Sequence, residues 1–158
     1  MAISQDETAQ QHAAHMRCAL GLAREAMQRG DWPVAAVIAR GASVLATGQG
    51  RQVSSADCLA HAETDALAQA RMAGRDVAGA TLYCTMEPCP MCAWALYLSG
   101  IRHVVLGARH ADLGRVDLGR YTLETFIEML GMKVQLTLGV EHEACLKLRR
   151  DWGRDATR

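Results

Sequence analysis

Two short strings, His61-Ala62-Glu63 and Pro88-Cys89-Pro90-Met91-Cys92, constrain this chain more than any other feature. Zinc is borderline-soft and takes one imidazole and two thiolates readily, usually in a tetrahedral shell. His61, Cys89 and Cys92 are therefore the candidate ligands for one zinc ion per subunit. A fold that uses them must bring two segments, separated by residues 64–87, to one point. No fourth Cys or His stands beside them at ligand spacing, which leaves a coordination position for water. Open shells of this kind mark catalytic zinc rather than structural zinc. Glu63 lies two residues past the histidine, well placed to move the protons of that water.

The periodicity around the strings sets the architecture. Apolar residues recur at helical spacing over residues 9–29, and helices are expected from His61 to Gly74 and from Cys89 to Ser99. Further helices are predicted over residues 122–130 and 141–152. Strands are predicted over residues 34–39, 44–48, 81–85, 104–107 and 134–138, the first two joined by a tight turn at Arg40-Gly41-Ala42. Helices alternating with strands imply a sheet covered on both faces, and the hairpin makes that sheet mixed. Both strings open predicted helices, whose N-termini favour the thiolate form of cysteine. Pro88 and Pro90 stiffen the second turn.

At 158 residues the chain is read as a single domain, with its polar first ten residues disordered. No apolar run approaches the roughly 20 residues of a membrane span, and the polar, acidic start is unlike a signal peptide. A cytoplasmic location, no membrane partner and a reducing compartment follow as expectations. Cys18, Cys84 and Cys145 sit among apolar neighbours and read as core residues; Cys58 has no evident place. His12 and His15 read as surface residues. Lys plus Arg and Asp plus Glu number 17 each, so the chain has no basic excess to neutralise phosphates, and a nucleic-acid partner is disfavoured. The basic cluster Lys147, Arg149, Arg150, Arg154 and Arg158 reads as a solvated helix face.

The combination H-x-E…P-C-x-x-C resembles the zinc deaminases of the cytidine deaminase-like superfamily, over about residues 10–150. That resemblance implies an α/β fold, a three-layer α-β-α sandwich around a central five-stranded mixed sheet. It implies hydrolytic loss of ammonia from an amino-substituted ring carbon, with Glu63 as the proton shuttle. It also implies that the backbone N–H groups of Ala62 and Cys89 help hold substrate. The string Thr85 to Cys92 is most similar to guanine deaminases and tRNA adenosine deaminases. Ala108-Arg109-His110-Ala111-Asp112 resembles the guanine deaminase A-x-H-x-D loop, in which the Asp sits over the site. Asp112 either acts there or caps a turn; His110 either approaches substrate or faces solvent.

Two departures bear on substrate. Relatives carry a base-binding Asn after the second strand, where this chain aligns Gly50; Gln49 or Arg51 are the expected substitutes. Trp94 replaces a small residue, and either packs, enters the pocket or, with Tyr97, meets a second subunit. Family members with this motif are commonly dimers through this region, so a homodimer is expected. The leading expectation is deamination of a small heterocycle, guanine first, then cytosine or an aminotriazine. The alternative is a tRNA-specific adenosine deaminase.

Overall fold

The computed structural model describes residues 5–115 and 117–154. Five strands, β1 (Ala35–Arg40), β2 (Ser43–Gln49), β3 (Thr81–Met86), β4 (His103–Ala108) and β5 (Gln135–Thr137), form one sheet in the order β2-β1-β3-β4-β5. β1 pairs antiparallel with β2 and β3, whereas β3–β4 and β4–β5 are parallel, so the expected mixed sheet is present. Five helices accompany it: α1 (Gln5–Gln28), α2 (Ala62–Met72), α3 (Pro90–Leu98), α4 (Leu123–Met129) and α5 (His142–Trp152).

Alternation along the strands divides the core into two layers. Ala36, Ile38, Leu82, Cys84, Val104 and Leu106 face Ala62, Ala66 and Ala70 of α2, Ala93 and Leu96 of α3, and Leu123 of α4. Ala35, Val37, Tyr83 and Val105 face Met16, Ala19, Leu20 and Ala23 of α1 and Cys145 and Leu148 of α5. This is the α-β-α sandwich that the sequence implied.

Two glycines set how closely helices approach. A Cβ on Gly48 of β2 would lie 2.1 Å from the Ala62 carbonyl oxygen and 2.3 Å from the Ala66 nitrogen, so α2 rests directly on the strand. A Cβ on Gly107 of β4 would lie 2.3 Å from Cys145 Sγ, which brings α5 equally close on the other face. The first contact fixes the start of α2, where His61 and Glu63 sit. The second fixes α5 and, one turn beyond Cys145, Arg149.

Several expectations are corrected. α1 begins at Gln5, so residues 5–10 are helical rather than disordered; Asp6 and Glu7 in its first turn complement the helix dipole. Residues 1–4 and Arg158 lie outside the described residues. His15 is buried and its Nε2 meets the Gly41 carbonyl at 2.9 Å, because the 12/15/16/19 spacing puts both histidines on the sheet-facing stripe. His12 Nδ1 lies 3.0 Å from the Tyr83 hydroxyl. Cys18, two positions from Met16, points away from that stripe and is exposed. Among the described residues, no helix is long and apolar enough to cross a membrane.

Candidate active site

The two strings meet at the N-termini of α2 and α3. His61 is the residue before the first turn of α2, and Cys89 holds the same position in α3, where Pro90 opens the helix with its ring-fixed φ. Neither side chain caps its helix, which leaves the imidazole and the thiol free for another partner. The ligand atoms of His61, Cys89 and Cys92 all lie within 4.8 Å of one another, with His61 Nδ1 3.7 Å from Cys89 Sγ. Zinc–nitrogen and zinc–sulfur bonds of about 2.0–2.3 Å separate tetrahedral donors by roughly 3.5 Å, so the set fits that metal.

Electrostatics agree with the geometry. The Cys92 thiol donates to Cys89 and His61 lies beside it, which together hold the Cys89 thiol down to about 4. Cys92, the donor of that pair, is pushed well up by the same contact and by burial. The Cys89 sulfur in turn raises His61.

Glu63 stands in the first turn of α2 and is 3% exposed. Burial raises its carboxyl above the ordinary carboxylate range. Cys84 Sγ donates to Glu63 Oε1 across 3.5 Å. His61, Ala62, Glu63 and Cys89 all line one cavity of about 680 Å³. His110 lines it too. As the first helical residue of α2, Ala62 has a backbone N–H for which a helix supplies no internal partner.

Four residues weighed for substrate contact, Asp112, Gly50, Gln49 and Arg51, lie off the cavity wall, and Asp112 takes the second of its two readings. Asp112 does not line the cavity: its Oδ2 accepts from the Arg109 backbone N–H at 2.7 Å and lies 3.8 Å from His142, so it caps the turn that follows β4. Gly50 does not line it either, and packs against the Trp32 carbonyl. Gln49 and Arg51 point elsewhere. Gln49 donates to Glu25 (2.9 Å) and Arg51 to Asp65 (3.3 Å), and both line a separate depression between α1, β2 and α2.

The wall also includes Trp32, Gln52, Arg115, Asp117 and Arg149, none of which the sequence marked for the site. Arg149 is 2% exposed, not a solvated residue, and stacks over Trp32 at 5.1 Å. Its i+4 relation to Cys145, the buried residue of the apolar stripe, was the available signal. Cys58 lines the cavity as well. Trp94 does not; it is 43% exposed and stacks on Tyr97.

Glu87 organises this wall. Its Oε2 accepts from the His110 backbone N–H (3.0 Å), and its Oε1 from the Leu123 N–H (2.7 Å) and from Arg109 (3.5 Å). The Tyr121 hydroxyl donates to the Pro88 carbonyl at 2.7 Å. The loop between β4 and α4 is thus tied to the two residues that precede Cys89. A buried acid beside a cysteine motif was the signal for it.

Comparison with known proteins agrees with this arrangement. Residues 9–108 match the family model of the cytidine and deoxycytidylate deaminase zinc-binding region. The chain is 31% identical over 138 residues to a tRNA-specific adenosine deaminase of Buchnera aphidicola, covering 84% of this chain and 87% of that one. It is 31% identical over 111 residues to a probable cytosine deaminase of Schizosaccharomyces pombe, covering 70% and 68%. The solved structure of a guanine deaminase from Nitrosomonas europaea superposes with a TM-score of 0.78 at 27% identity, over 89% of this chain and 83% of that one. With a family match across both strings and a ligand set that suits the metal, the chain belongs to the cytidine and deoxycytidylate deaminase family and is a zinc-type hydrolytic deaminase.

Proposed function

We propose that this protein hydrolytically deaminates a small amino-substituted heterocycle, guanine first and cytosine or an aminotriazine next, using one zinc ion per subunit. The observation that carries this reading is Glu63, a buried carboxyl in the same cavity wall as the His61–Cys89–Cys92 cluster. His61, Cys89 and Cys92 would hold the metal. Zinc, when bound, supplies a Lewis acid that lowers the pKa of water toward ~7. Glu63 accepts the proton of the attacking water and returns protons to the ring nitrogen and to the departing amine, so that water and the amine become a carbonyl and ammonia. The Ala62 N–H, at the positive end of α2, points a donor at charge developing on the ring. Trp32 offers a face for the ring. The other walls exclude bulk water.

A free heterocycle is favoured over tRNA by the absence of a basic excess. Related solved structures hold 8-azaguanine and 2,6-diaminopurine. The 31% identity to a tRNA-specific adenosine deaminase supports the second reading, adenosine-to-inosine editing. Ammonia release from zinc-loaded protein, measured with guanine, cytosine, adenine, an aminotriazine and an anticodon stem-loop, separates the two. Turnover confined to the stem-loop would overturn the proposal. Glu63→Gln should abolish turnover while zinc content, read by elemental analysis, stays at one per chain; loss of zinc would make Glu63 a ligand instead.

A homodimer across α3 fits the exposed Trp94 and Leu98, four residues apart on that helix. Trp94→Ser should shift the mass by sedimentation from dimer to monomer.

A further inference from the structure

Buried polar side-chain atoms are nearly always hydrogen-bonded, so those without partners point to something that binds them. Five such atoms lack a hydrogen bond among the described residues, Asp31 Oδ2, Gln52 Oε1, Arg109 Nε, His110 Nε2 and Trp152 Nε1, and of these Asp31 Oδ2 keeps an ion pair with Arg29 at 3.4 Å. Of these five residues only Gln52 and His110 line the active-site cavity.

The position of Gln52 is built by its neighbours. A Cβ on Gly50 would lie 3.0 Å from Gln52 Oε1 and 2.9 Å from the Trp32 carbonyl oxygen. A side chain at 50 would thus crowd both the Trp32 backbone and the amide of residue 52. That amide presents an acceptor and a donor side by side.

His110 is fixed in kind as well as in place. Arg115 Nη1 lies 3.4 Å from His110 Nδ1. A guanidinium only donates, so Nδ1 accepts and the ring proton sits on Nε2. Burial, then the Arg115 charge, lowers the ring to about 4, which keeps it neutral at pH 7. The His110 backbone N–H is held by Glu87, and the ring packs at 6.3 Å from Tyr121. Nε2–H is a pre-set donor at the cavity wall.

We infer that Gln52 and His110 are the specificity-determining pair of this deaminase, binding the part of the heterocycle remote from the reacting carbon. Gln52 takes a lactam or amidine edge, where a ring donor and acceptor stand adjacent, and His110 donates to a ring nitrogen or carbonyl oxygen. The substrate class is thus an amino-heterocycle with a second donor–acceptor edge, as guanine and cytosine have. The inference rests on the small-heterocycle reading above.

The test uses zinc-loaded full-length protein with guanine and cytosine as probes. Gln52→Met keeps the volume and removes both polar atoms. It should raise KM for the turned-over base about 10- to 100-fold and leave kcat within a few-fold, because the contact is made in ground and transition states alike. The same loss should appear in the Kd measured calorimetrically on Glu63→Gln protein. Ligand-free, Gln52→Met should melt at or above the wild-type temperature, since an unsatisfied acceptor has been removed; a structural role would lower it. His110→Phe should raise KM in the same way, Arg115 staying paired with Asp117. An unchanged KM in both variants, or a KM rise that follows loss of fold or zinc, overturns the pair. Wild-type protein inert toward both bases overturns this pair, and inertness toward an aminotriazine as well overturns the heterocycle reading itself.

Discussion

Replacing Glu87 by Ala tests how the cavity wall is held. The side chain is 3% exposed and accepts two backbone N–H bonds, from His110 at 3.0 Å and Leu123 at 2.7 Å, besides its longer contact to Arg109. Removing it leaves two buried donors without acceptors, each costing about 1–3 kcal/mol. Arg109 keeps Glu124 as a partner, so its loss adds little. The sum is roughly 3–5 kcal/mol, equivalent to a melting-temperature fall of about 10 °C for a chain of this size. Glu87→Gln should cost about half as much, because its single amide oxygen serves one N–H while its NH2 group opposes the other. Urea denaturation of both variants, with amide exchange at His110 and Leu123, reads the effect directly. A loss below about 1 kcal/mol in the alanine variant, or equal losses in the two, would refute the two-acceptor account.

Two further outcomes follow from packing and charge. Gly48→Ala places a methyl against the backbone of Ala62 and Ala66, which only a shift of α2 can relieve; stability should fall by about 3 kcal/mol, and zinc affinity with it, as checked by denaturation and metal titration. His12 and His103 are both lowered, first by burial and then by the positive charge of a neighbouring histidine. Their neutral forms are the folded ones, so the unfolded chain binds more protons just below pH 6.5. Urea midpoints should therefore be full above about pH 6.5 and fall as the pH drops through the folded values; a flat or rising profile would contradict the packing around Tyr83.

The metal cluster was legible in sequence because the chemistry is local. Two ligands of the second string are three residues apart, and Pro88 and Pro90 announce the turn that starts α3. Glu63 needed only its neighbour His61. The sheet was legible too, since β1, β3 and β4 are buried on both faces and read as short, nearly continuous apolar runs bounded by turn residues. The start of α1 was missed because a polar first turn satisfies a helix as well as it satisfies disorder.

What only the tertiary structure decided is which residues complete the cavity. Trp32, Gln52, Arg115, Asp117 and Arg149 come from four separate stretches of chain and share no motif. Their convergence depends on how far α5 can approach β4 over Gly107, and on how Glu87 ties down the loop after β4. It also decided which amide reaches the cavity wall near Gly50. Gln49 pairs with Glu25 of α1 and Arg51 with Asp65 of α2, while Gln52 lines the cavity beside the glycine. The ligands of a metal are set by the chemistry of adjacent residues, so sequence alone names them. A binding wall is set by the distances between packed elements, and those exist only once the chain has folded.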